Sequence, residues 1–363
     1  MKNSSTEDTL IQSHLTSERC KVSQLSSKMS PTHDNGQSSP ELDKEISESR
    51  EASWNSFGKR IIFYAPSFSM YRNRCFPMRH TTFPSISLTG TNCALQCEHC
   101  KGRFLEKMIP ATSPDSLRRV LQEIKRKGSG GCLISGGCEA GGSVPITQFL
   151  PVIAQAKIEL GLRIVIHTGL LDVDSSRQLA DSNVDCALID VIGFSDTARE
   201  VCHLDVDITR YRDSLSALRS AGVKTVPHVI VGLDYGELKG EYEAIRMIAG
   251  CDPAAVVIIA LTPIKRTGME GLSPPTPETI ASVLTRAREL MPKVPLVLGC
   301  VRPTGIHRAT TDTLAMRSGV NGIVFPTSRA IQLARREGIE HHFSSQCCAL
   351  IYEDLENTKS ISR

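Results

Sequence analysis

The stretch Thr89-Gly-Thr-Asn-Cys93-Ala-Leu-Gln-Cys97-Glu-His-Cys100 places three cysteines within eight residues, spaced Cys-x3-Cys-x2-Cys. It follows an apolar run, Phe83-Pro-Ser-Ile-Ser-Leu88, that has the pattern of a short strand. A closed structural zinc site normally has four protein ligands, and iron–sulfur clusters likewise usually take four thiolates. A short loop with three thiols therefore predicts a cluster in which one iron remains open to another ligand.

A zinc knuckle is the alternative interpretation of these thiols, with His99 or a distant residue as the fourth ligand. The rest of the chain favours the cluster, because strands and helices alternate along it as they do in a barrel enzyme.

The composition is that of a globular protein. Of 363 residues, 40% are hydrophobic and 22% are charged. The longest apolar run, Ala254–Leu261, is far shorter than the roughly 20 residues of a membrane helix. The N-terminus is polar and has no apolar core of a signal peptide. Net charge is +3 with interspersed signs, which predicts no nucleic-acid surface. We therefore expect a soluble, cytoplasmic enzyme that binds neither nucleic acid nor membrane.

Cysteine is abundant, with thirteen residues in the chain. Without a secretory signal, these cysteines are interpreted as reduced thiols, some of them metal ligands, rather than as a disulfide framework.

The alternation of apolar runs and helical patterns predicts a parallel sheet covered by helices. Ser113-Pro-Asp, for example, has the pattern of a helix start, with Ser as N-cap and Pro at the first helical position. Eight strand–helix units predict a (βα)8-type parallel barrel, complete or partly open; an open doubly wound sheet is the alternative. The predicted strands are Phe83–Leu88, Cys132–Ser135, Arg163–Thr168, Asp185–Val191, Lys224–Val231, Ala254–Leu261, Pro295–Cys300 and Gly322–Phe325.

The predicted organisation is one catalytic domain between two terminal segments. Residues 1–53 are rich in Ser, Thr, Glu and Lys and are predicted to be a disordered or weakly helical extension. The domain spans residues 54–350, with Arg60–Pro66 as a first strand-like segment, and residues 351–363 form a tail.

The three-cysteine loop resembles that of the radical S-adenosylmethionine (radical SAM) superfamily, and from about Arg60 to Leu350 the chain is similar to the biotin synthase-related members. The resemblance implies that Cys93, Cys97 and Cys100 hold a [4Fe–4S] cluster. It also implies that S-adenosylmethionine chelates the fourth iron and is cleaved by an electron from the cluster to a 5′-deoxyadenosyl radical. No catalytic side chain is assigned. The resemblance also rests on Leu133–Gly137, His167–Leu170, Pro227–Leu233 and Gly299–Pro303.

The resemblance also implies which residues bind the cofactor. Ser135-Gly136-Gly137 matches the first part of a Gly-Gly-Glu-like motif that contacts the methionyl amine; Cys138 stands in the place of its Glu, and Glu139 follows. His99 occupies the place of an aromatic residue against the adenine, and Gly232 lies in a glycine-rich turn near the adenosine.

Polar residues at strand ends are further candidates. Thr168 and Asp190 are placed to hold ribose and carboxylate groups, since an acid that ends an apolar strand needs a polar partner. His167 and His228 are equally well interpreted as core residues or as site residues.

The remaining thiols suggest sulfur insertion, because sulfur-inserting members of the superfamily carry a second cluster. Cys300, Cys347 and Cys348 are the predicted ligands of this auxiliary iron–sulfur cluster. Cys132, Cys186 and the other isolated cysteines are expected to be small core residues, as is Cys75, though with less support.

Within the biotin synthase-related group, the chain resembles a subunit of the two-component lipoyl synthase. That resemblance implies sulfur insertion into an octanoyl chain on a lipoyl carrier protein, a second radical SAM subunit and a flavodoxin- or ferredoxin-type electron donor. The alternatives are another radical SAM reaction on a small-molecule substrate, such as thioether formation, methylation or rearrangement, and a zinc-binding interaction module.

Overall fold

The computed structural model describes residues 39–67, 71, 73 and 82–361. The described strands are β1 Arg60–Tyr64, β2 Ser85–Ser87, β3 Ile109–Pro110, β4 Gly131–Ser135, β5 Arg163–His167, β6 Cys186–Asp190, β7 Thr225–Val231, β8 Val256–Ala260, β9 Leu296–Leu298, β10 Gly322–Val324 and β11 Glu340–Ser344. The described helices are α1 Pro40–Phe57, α2 Pro114–Arg126, α3 Leu150–Leu160, α4 Val173–Asp181, α5 Ser195–Glu200, α6 Thr209–Ser220, α7 Glu241–Ala249, α8 Pro277–Leu290, α9 Gly305–Arg317, α10 Ser328–Arg336 and α11 Ile351–Ile361. Short 3-10 helices span Arg103–Lys107, Thr147–Phe149 and Cys348–Leu350.

All eleven strands form one parallel sheet in the order β11-β1-β10-β9-β8-β7-β6-β5-β4-β2-β3. Successive strands from β4 to β10 are neighbours, joined by helices that cross from the end of one strand to the start of the next. Among the described residues, no pairing joins the edge strands β3 and β11, so the sheet is an open half-barrel. The prediction of a (βα)8-type fold is confirmed in its partly open form.

Two edge strands were not predicted from the sequence. β3 has only two residues, and the second is Pro110, which is typical of sheet edges. β11 has the sequence Glu-His-His-Phe-Ser and is only partly buried, so it lacks the apolar pattern of the central strands. Each of the eight predicted strands, and the segment Arg60–Pro66, overlaps a strand of the sheet.

Helix α1 corrects the predicted start of the ordered domain at residue 54. Ser39 caps it by accepting a hydrogen bond from Leu42 N at 3.2 Å, and Pro40 stands in the first turn. Leu42 and Ile46 pack with Ala281 of α8 and Leu314 of α9. Residues 40–53 are therefore helical and attached to the barrel; their apolar face is too narrow to stand out in the sequence.

The C-terminal tail also needs correction, because residues 351–361 form α11. The Tyr64 hydroxyl of β1 donates to Asp354 Oδ2 at 2.8 Å, and Ile351 and Leu355 are buried. The tail is therefore part of the fold. Cys20 and Cys75 lie outside the described residues.

The two faces of the sheet separate two parts of the core. Ile164 and Ile166 of β5 pack among residues of the surrounding helices. Val165, between them, packs instead with Leu188 and Val226 on the inner face. Because successive side chains of a strand point to opposite faces, the inner face continues at the strand ends through the residues two positions on. The 3-10 helix Cys348–Leu350 and the start of α11 pack against this inner face.

No helix in the described ranges is long and apolar enough to cross a membrane.

Candidate functional site

The three thiols lie on the loop that follows β2. Cys100 N and Lys101 N donate to Cys97 O at 3.1 and 2.8 Å, and Gln96 and Lys101 adopt the left-handed region at φ 47° and 46°. This winding brings the sulfurs of Cys97 and Cys100 and a ring nitrogen of His99 within 4.8 Å of one another. Cys97 is buried, whereas Cys93 and Cys100 are half-buried.

A clamp, Val201–His203, holds the outer side of this loop. Glu98 N donates to Val201 O at 2.8 Å, and Cys97 Sγ lies 3.6 Å from Cys202 O. His203 uses both ring nitrogens, with Nδ1 2.7 Å from Leu95 O and Nε2 3.0 Å from Glu98 Oε1. The sequence carries no motif for this clamp, since its backbone groups do most of the holding.

The glycine loop after β4 packs directly onto the cysteine loop. Gly137 N donates to Thr89 Oγ1 at 2.7 Å, and Ala94 N donates to Cys138 O at 2.8 Å. A Cβ at Gly137 would overlap Asn92 O and lie 2.6 Å from Cys93 Cα. Only glycine allows this approach, so the contact between the two loops depends on the residue type at position 137.

The other residues of that loop are accessible. Ser135 and Gly136 are half-buried at the end of β4, and Glu139 is exposed. The Glu139 carboxylate accepts from Ser143 Oγ at 3.2 Å, within its own loop.

His167 and Asp190 end β5 and β6, and His228 lies beside them in the middle of β7. His167 Nε2 lies 3.5 Å from Asp190 Oδ2, and the two imidazole rings are 6.1 Å apart. Asp190 pairs with His228 in the sheet register, and all three residues share the inner face. The Asp190 side chain is 40% exposed, so the carboxylate is open on one side.

The three groups influence one another's charge. Burial alone would raise the pKa of Asp190, but the nearby His167, followed by His228 and His99, lowers it to about 2. Burial lowers the pKa of His228 to about 4. Burial also disfavours the charged form of His167, yet the Asp190 carboxylate raises its pKa above the usual value. At neutral pH, Asp190 is an ionised acceptor for hydroxyl or ammonium groups.

The hydroxyl of Thr168 is not available to a ligand beside these three residues. It is fully buried, and its Oγ1 lies 2.9 Å from Gly169 O and 3.3 Å from Leu188 O. The side chain is therefore engaged with the backbone at the end of β5.

The turn after β7 holds Gly232 rigidly. Gly232 has φ 74°, and its N–H donates to the buried Glu241 carboxylate at 2.7 Å. Glu241 also accepts from the backbone N–H groups of Lys239 and Gly240 at 3.0 Å each. Asp234 closes the turn by accepting from Thr197 Oγ1 at 2.6 Å. Glu241 was not singled out from the sequence, where an acid in the first turn of a helix is ordinary.

The predicted auxiliary thiols lie among residues of the inner face. Cys347 and Cys348 are buried there, and the half-buried Cys300 packs against the same residues. Cys186 of β6 belongs to this group as well, which the sequence did not indicate. Among the described residues, only Cys97, His99 and Cys100 place three ligand atoms within 4.8 Å, so the auxiliary cluster stays a prediction.

Comparison with known proteins identifies the family. Residues 87–245 match the sequence profile of the Radical SAM superfamily, a range that runs from the end of β2 through the cysteine and glycine loops into α7. Residues 87–245 therefore carry a radical SAM domain. Enzymes of this superfamily use a [4Fe–4S] cluster and S-adenosylmethionine, which are therefore the cofactors of this protein.

Among curated proteins, the chain is similar to biotin synthases. It is 26% identical over 219 residues to biotin synthase of Prochlorococcus marinus, covering 57% of this chain and 64% of the relative, slightly less than two thirds of its length. It is 23% identical over 290 residues to biotin synthase of Brucella ovis, covering 74% of this chain and 85% of the relative.

Two solved structures share the fold. Methylornithine synthase (PylB) superposes with a TM-score of 0.59 at 14% identity, covering 88% of this chain and 93% of that one. The hydrogenase maturase HydG superposes with a TM-score of 0.60 at 15% identity, covering 90% and 74%. At such identities the likeness shows the fold alone.

The residues present fit these cofactors. Three thiols on one loop leave a coordination position open, and the glycine loop approaches them without side chains. His99 Nδ1 is buried and has no hydrogen-bond partner among the described residues, which suits a donor or acceptor for a bound ligand. The hydrogen bond with Cys97, and then burial, raise the pKa of the Cys100 thiol to about 12. Iron binding must therefore displace this proton.

Proposed function

We propose that this radical SAM enzyme removes hydrogen from an unactivated carbon and inserts sulfur there, acting on an octanoyl chain attached to a lipoyl carrier protein. The observation that carries the sulfur-insertion part is the group of thiols on the inner face: Cys186, Cys300, Cys347 and Cys348. Such a reaction requires a sulfur source, which these thiols would supply as ligands of an auxiliary cluster.

The cofactor side of the proposal uses the residues around the cysteine loop. Cys93, Cys97 and Cys100 would hold the cluster, which supplies the electron that splits the sulfonium of S-adenosylmethionine. Asp190 would accept hydrogen bonds from the ribose hydroxyls, because its carboxylate is ionised and open. His99 would contact the adenine, and Gly232 would allow the adenosine to approach the backbone.

The methionyl amine would be held at the glycine loop. Gly136 and Gly137 offer backbone carbonyls there, whereas the carbonyl of Ser135 already accepts from Leu88 N at 2.8 Å. Glu139 offers a carboxylate whose present partner, Ser143, is only a neighbour in the loop. Thr168 would contribute through its backbone, since its hydroxyl is engaged.

The inner face suits an aliphatic substrate. Ile259 is half-buried and packs with the thiol-bearing residues, and a Cβ at Gly299, beside Cys300, would overlap it. Hydrocarbon side chains such as Ile259 thus pack against the thiols, and the charged groups near Cys300 include Arg308, whose Nη2 donates to Cys300 O at 3.5 Å. Acid–base side chains cannot activate an alkyl C–H bond, so the protein's part is to position the chain and exclude water.

The partners in this proposal are the octanoyl carrier protein, a second radical SAM subunit and a flavodoxin- or ferredoxin-type electron donor. The similarity to biotin synthases supports a second candidate, thioether formation on a small molecule. The two candidates share the radical step and the sulfur source, and they differ in whether the substrate is bound to a protein.

The experiment measures iron and sulfide, together with EPR spectra of the reduced protein with and without S-adenosylmethionine, after purification without oxygen. The wild type is compared with the variant Cys93→Ala/Cys97→Ala/Cys100→Ala. We expect about eight irons in the wild type and about four in the variant, as for two four-iron clusters. The cofactor should alter the spectrum only when the three thiols are present.

A wild type with about four irons, all lost in the variant, would remove the proposed sulfur source and leave the radical chemistry. If two clusters are found, incubation with octanoylated carrier protein and with small-molecule thioether precursors distinguishes the two candidates by the mass of the product.

A further inference from the structure

The surface beside the cysteine loop combines an exposed aromatic ring with basic side chains. Phe104, in the 3-10 helix that follows the loop, is 46% exposed. A single exposed apolar side chain is common and does not by itself indicate a binding surface. Around this one, however, the side chains of Lys107, Lys265 and Arg266 are exposed and have no partner in the part of the chain that the structure describes.

Two segments of the chain build this surface together. Arg103 Nη1 donates to Lys265 O at 3.1 Å, which fixes the loop after β8 against the 3-10 helix. Arg266 adopts the left-handed region at φ 61°, and its N–H donates to Glu270 Oε2 at 2.7 Å. A basic residue held in this unfavourable conformation indicates a loop whose shape is imposed by its surroundings.

The surface lies directly after Cys100 in the chain and close to Cys93 in space. Arg103 N donates to Cys100 O at 2.9 Å, so the chain folds back tightly after the third cysteine. Gly102, with φ 73°, lies so near Cys93 that a Cβ there would be 3.8 Å from the Cys93 Cβ. Only this turn separates the Phe104 surface from the cluster ligands.

The surface carries positive charge. Glu98 pairs with Lys101 at 2.6 Å, and Glu106 pairs with Arg103 at 3.5 Å. These acids neutralise the two basic residues nearest the thiols. The exposed Glu270 carboxylate, which accepts from Arg266 N–H, offsets one of the three charges of Lys107, Lys265 and Arg266, and the surface stays net positive.

We propose that Phe104, Arg103, Lys107, Lys265 and Arg266 form the docking surface for a small acidic one-electron carrier protein that reduces the cluster. One electron leaves the reduced flavin or iron–sulfur centre of the carrier and enters the oxidised cluster; no bond is made and no proton moves. An aromatic ring with an arginine suits the centre of a small interface, and a basic rim steers an acidic partner. Electron-transfer interfaces are typically small. The proposal rests on the radical SAM cluster and not on sulfur insertion.

The test is the rate of cluster reduction in the holoenzyme, followed by absorbance in a stopped-flow instrument, with reduced flavodoxin as the donor. In the variant Lys107→Gln/Lys265→Gln/Arg266→Gln, we expect the second-order rate at low salt to fall about tenfold or more. The wild-type rate should fall with added salt, and the variant should lose most of this dependence. Phe104→Ser should slow reduction by flavodoxin at every salt concentration. Reduction by dithionite, which needs no docking surface, should not change in either variant.

The matched control is Arg119→Gln/Lys125→Gln/Arg329→Gln, which removes three exposed charges from α2 and α10. This control should be reduced like the wild type. Equal slowing of the control, an unchanged rate in the surface variants, or a parallel loss of the dithionite reaction would each overturn the proposal. It would also be overturned if the surface variants lost binding of an octanoylated carrier protein but kept their reduction by flavodoxin, since the surface would then belong to the substrate.

Discussion

At the scale of single residues, the contact between the cysteine loop and the glycine loop depends on the absence of a side chain at Gly137. Gly137→Ala would force its methyl group against Asn92 O and Cys93. Overpacking of this kind costs about 1–3 kcal/mol, and the loop is free to relieve it by moving Cys93. We expect the variant to be purified with a large loss of iron bound at the cysteine loop. Gly141→Ala is the control, because a Cβ there has no atom within 4 Å. Equal iron contents in the two variants would contradict the account of the contact.

His228 should make the free energy of unfolding depend on pH. Its pKa in the folded protein is about 4, below the ordinary value, so the unfolded chain binds a proton first as the pH falls. The contribution of neutral His228 to the free energy of unfolding is complete above the pKa that the residue has in the unfolded chain. It is lost as the pH falls toward the pKa in the folded protein. In iron-free protein, we expect the free energy of unfolding to decrease between about pH 6.5 and pH 4. His228→Gln should flatten this slope in urea titrations, and an unchanged slope would assign it to other groups. His167, whose pKa is raised, acts at higher pH and in the opposite sense.

At the scale of elements, α1 makes the strongest prediction. Leu42 and Ile46 are buried against α8 and α9 although they precede the barrel in sequence. Leu42→Ala or Ile46→Ala should lower the free energy of unfolding by about 2–5 kcal/mol, measured by denaturant titration. Lys44→Ala, on the exposed face of the same helix, should have almost no effect. A similar loss in all three variants would mean that the packing of Leu42 and Ile46 is not what attaches α1 to the barrel, because alanine itself favours the helix.

The helices and strands also show which parts of the fold could be predicted from the sequence. Strands such as β6, with the continuous apolar run Ala-Leu-Ile before Asp190, were evident because a parallel strand is buried on both faces. β11 was missed because an edge strand is exposed on one side and need not be apolar. The cysteine loop was predicted because its spacing is local. The clamp by Val201–His203 was not predicted, because a backbone carbonyl can accept a hydrogen bond whatever side chain its residue carries.

At the scale of the whole molecule, the half-barrel separates two buried cysteines that the sequence treats alike. Cys132 and Cys186 both lie within strands and are fully buried. Cys132 of β4 faces the surrounding helices, whereas Cys186 of β6 faces the inside with Cys300, Cys347 and Cys348. If the inner thiols supply an auxiliary cluster, the two positions differ in function although their burial is equal.

Cys186→Ala and Cys132→Ala are therefore a matched pair. Each substitution removes one sulfur from a packed core, and we expect similar, small losses of stability in thermal unfolding. Only Cys186→Ala should lower the iron that remains in the background lacking Cys93, Cys97 and Cys100. It should also reduce sulfur insertion without preventing reductive cleavage of S-adenosylmethionine. Equal iron in both variants would return Cys186 to the hydrophobic core and leave the open sheet with a single metal centre at the cysteine loop.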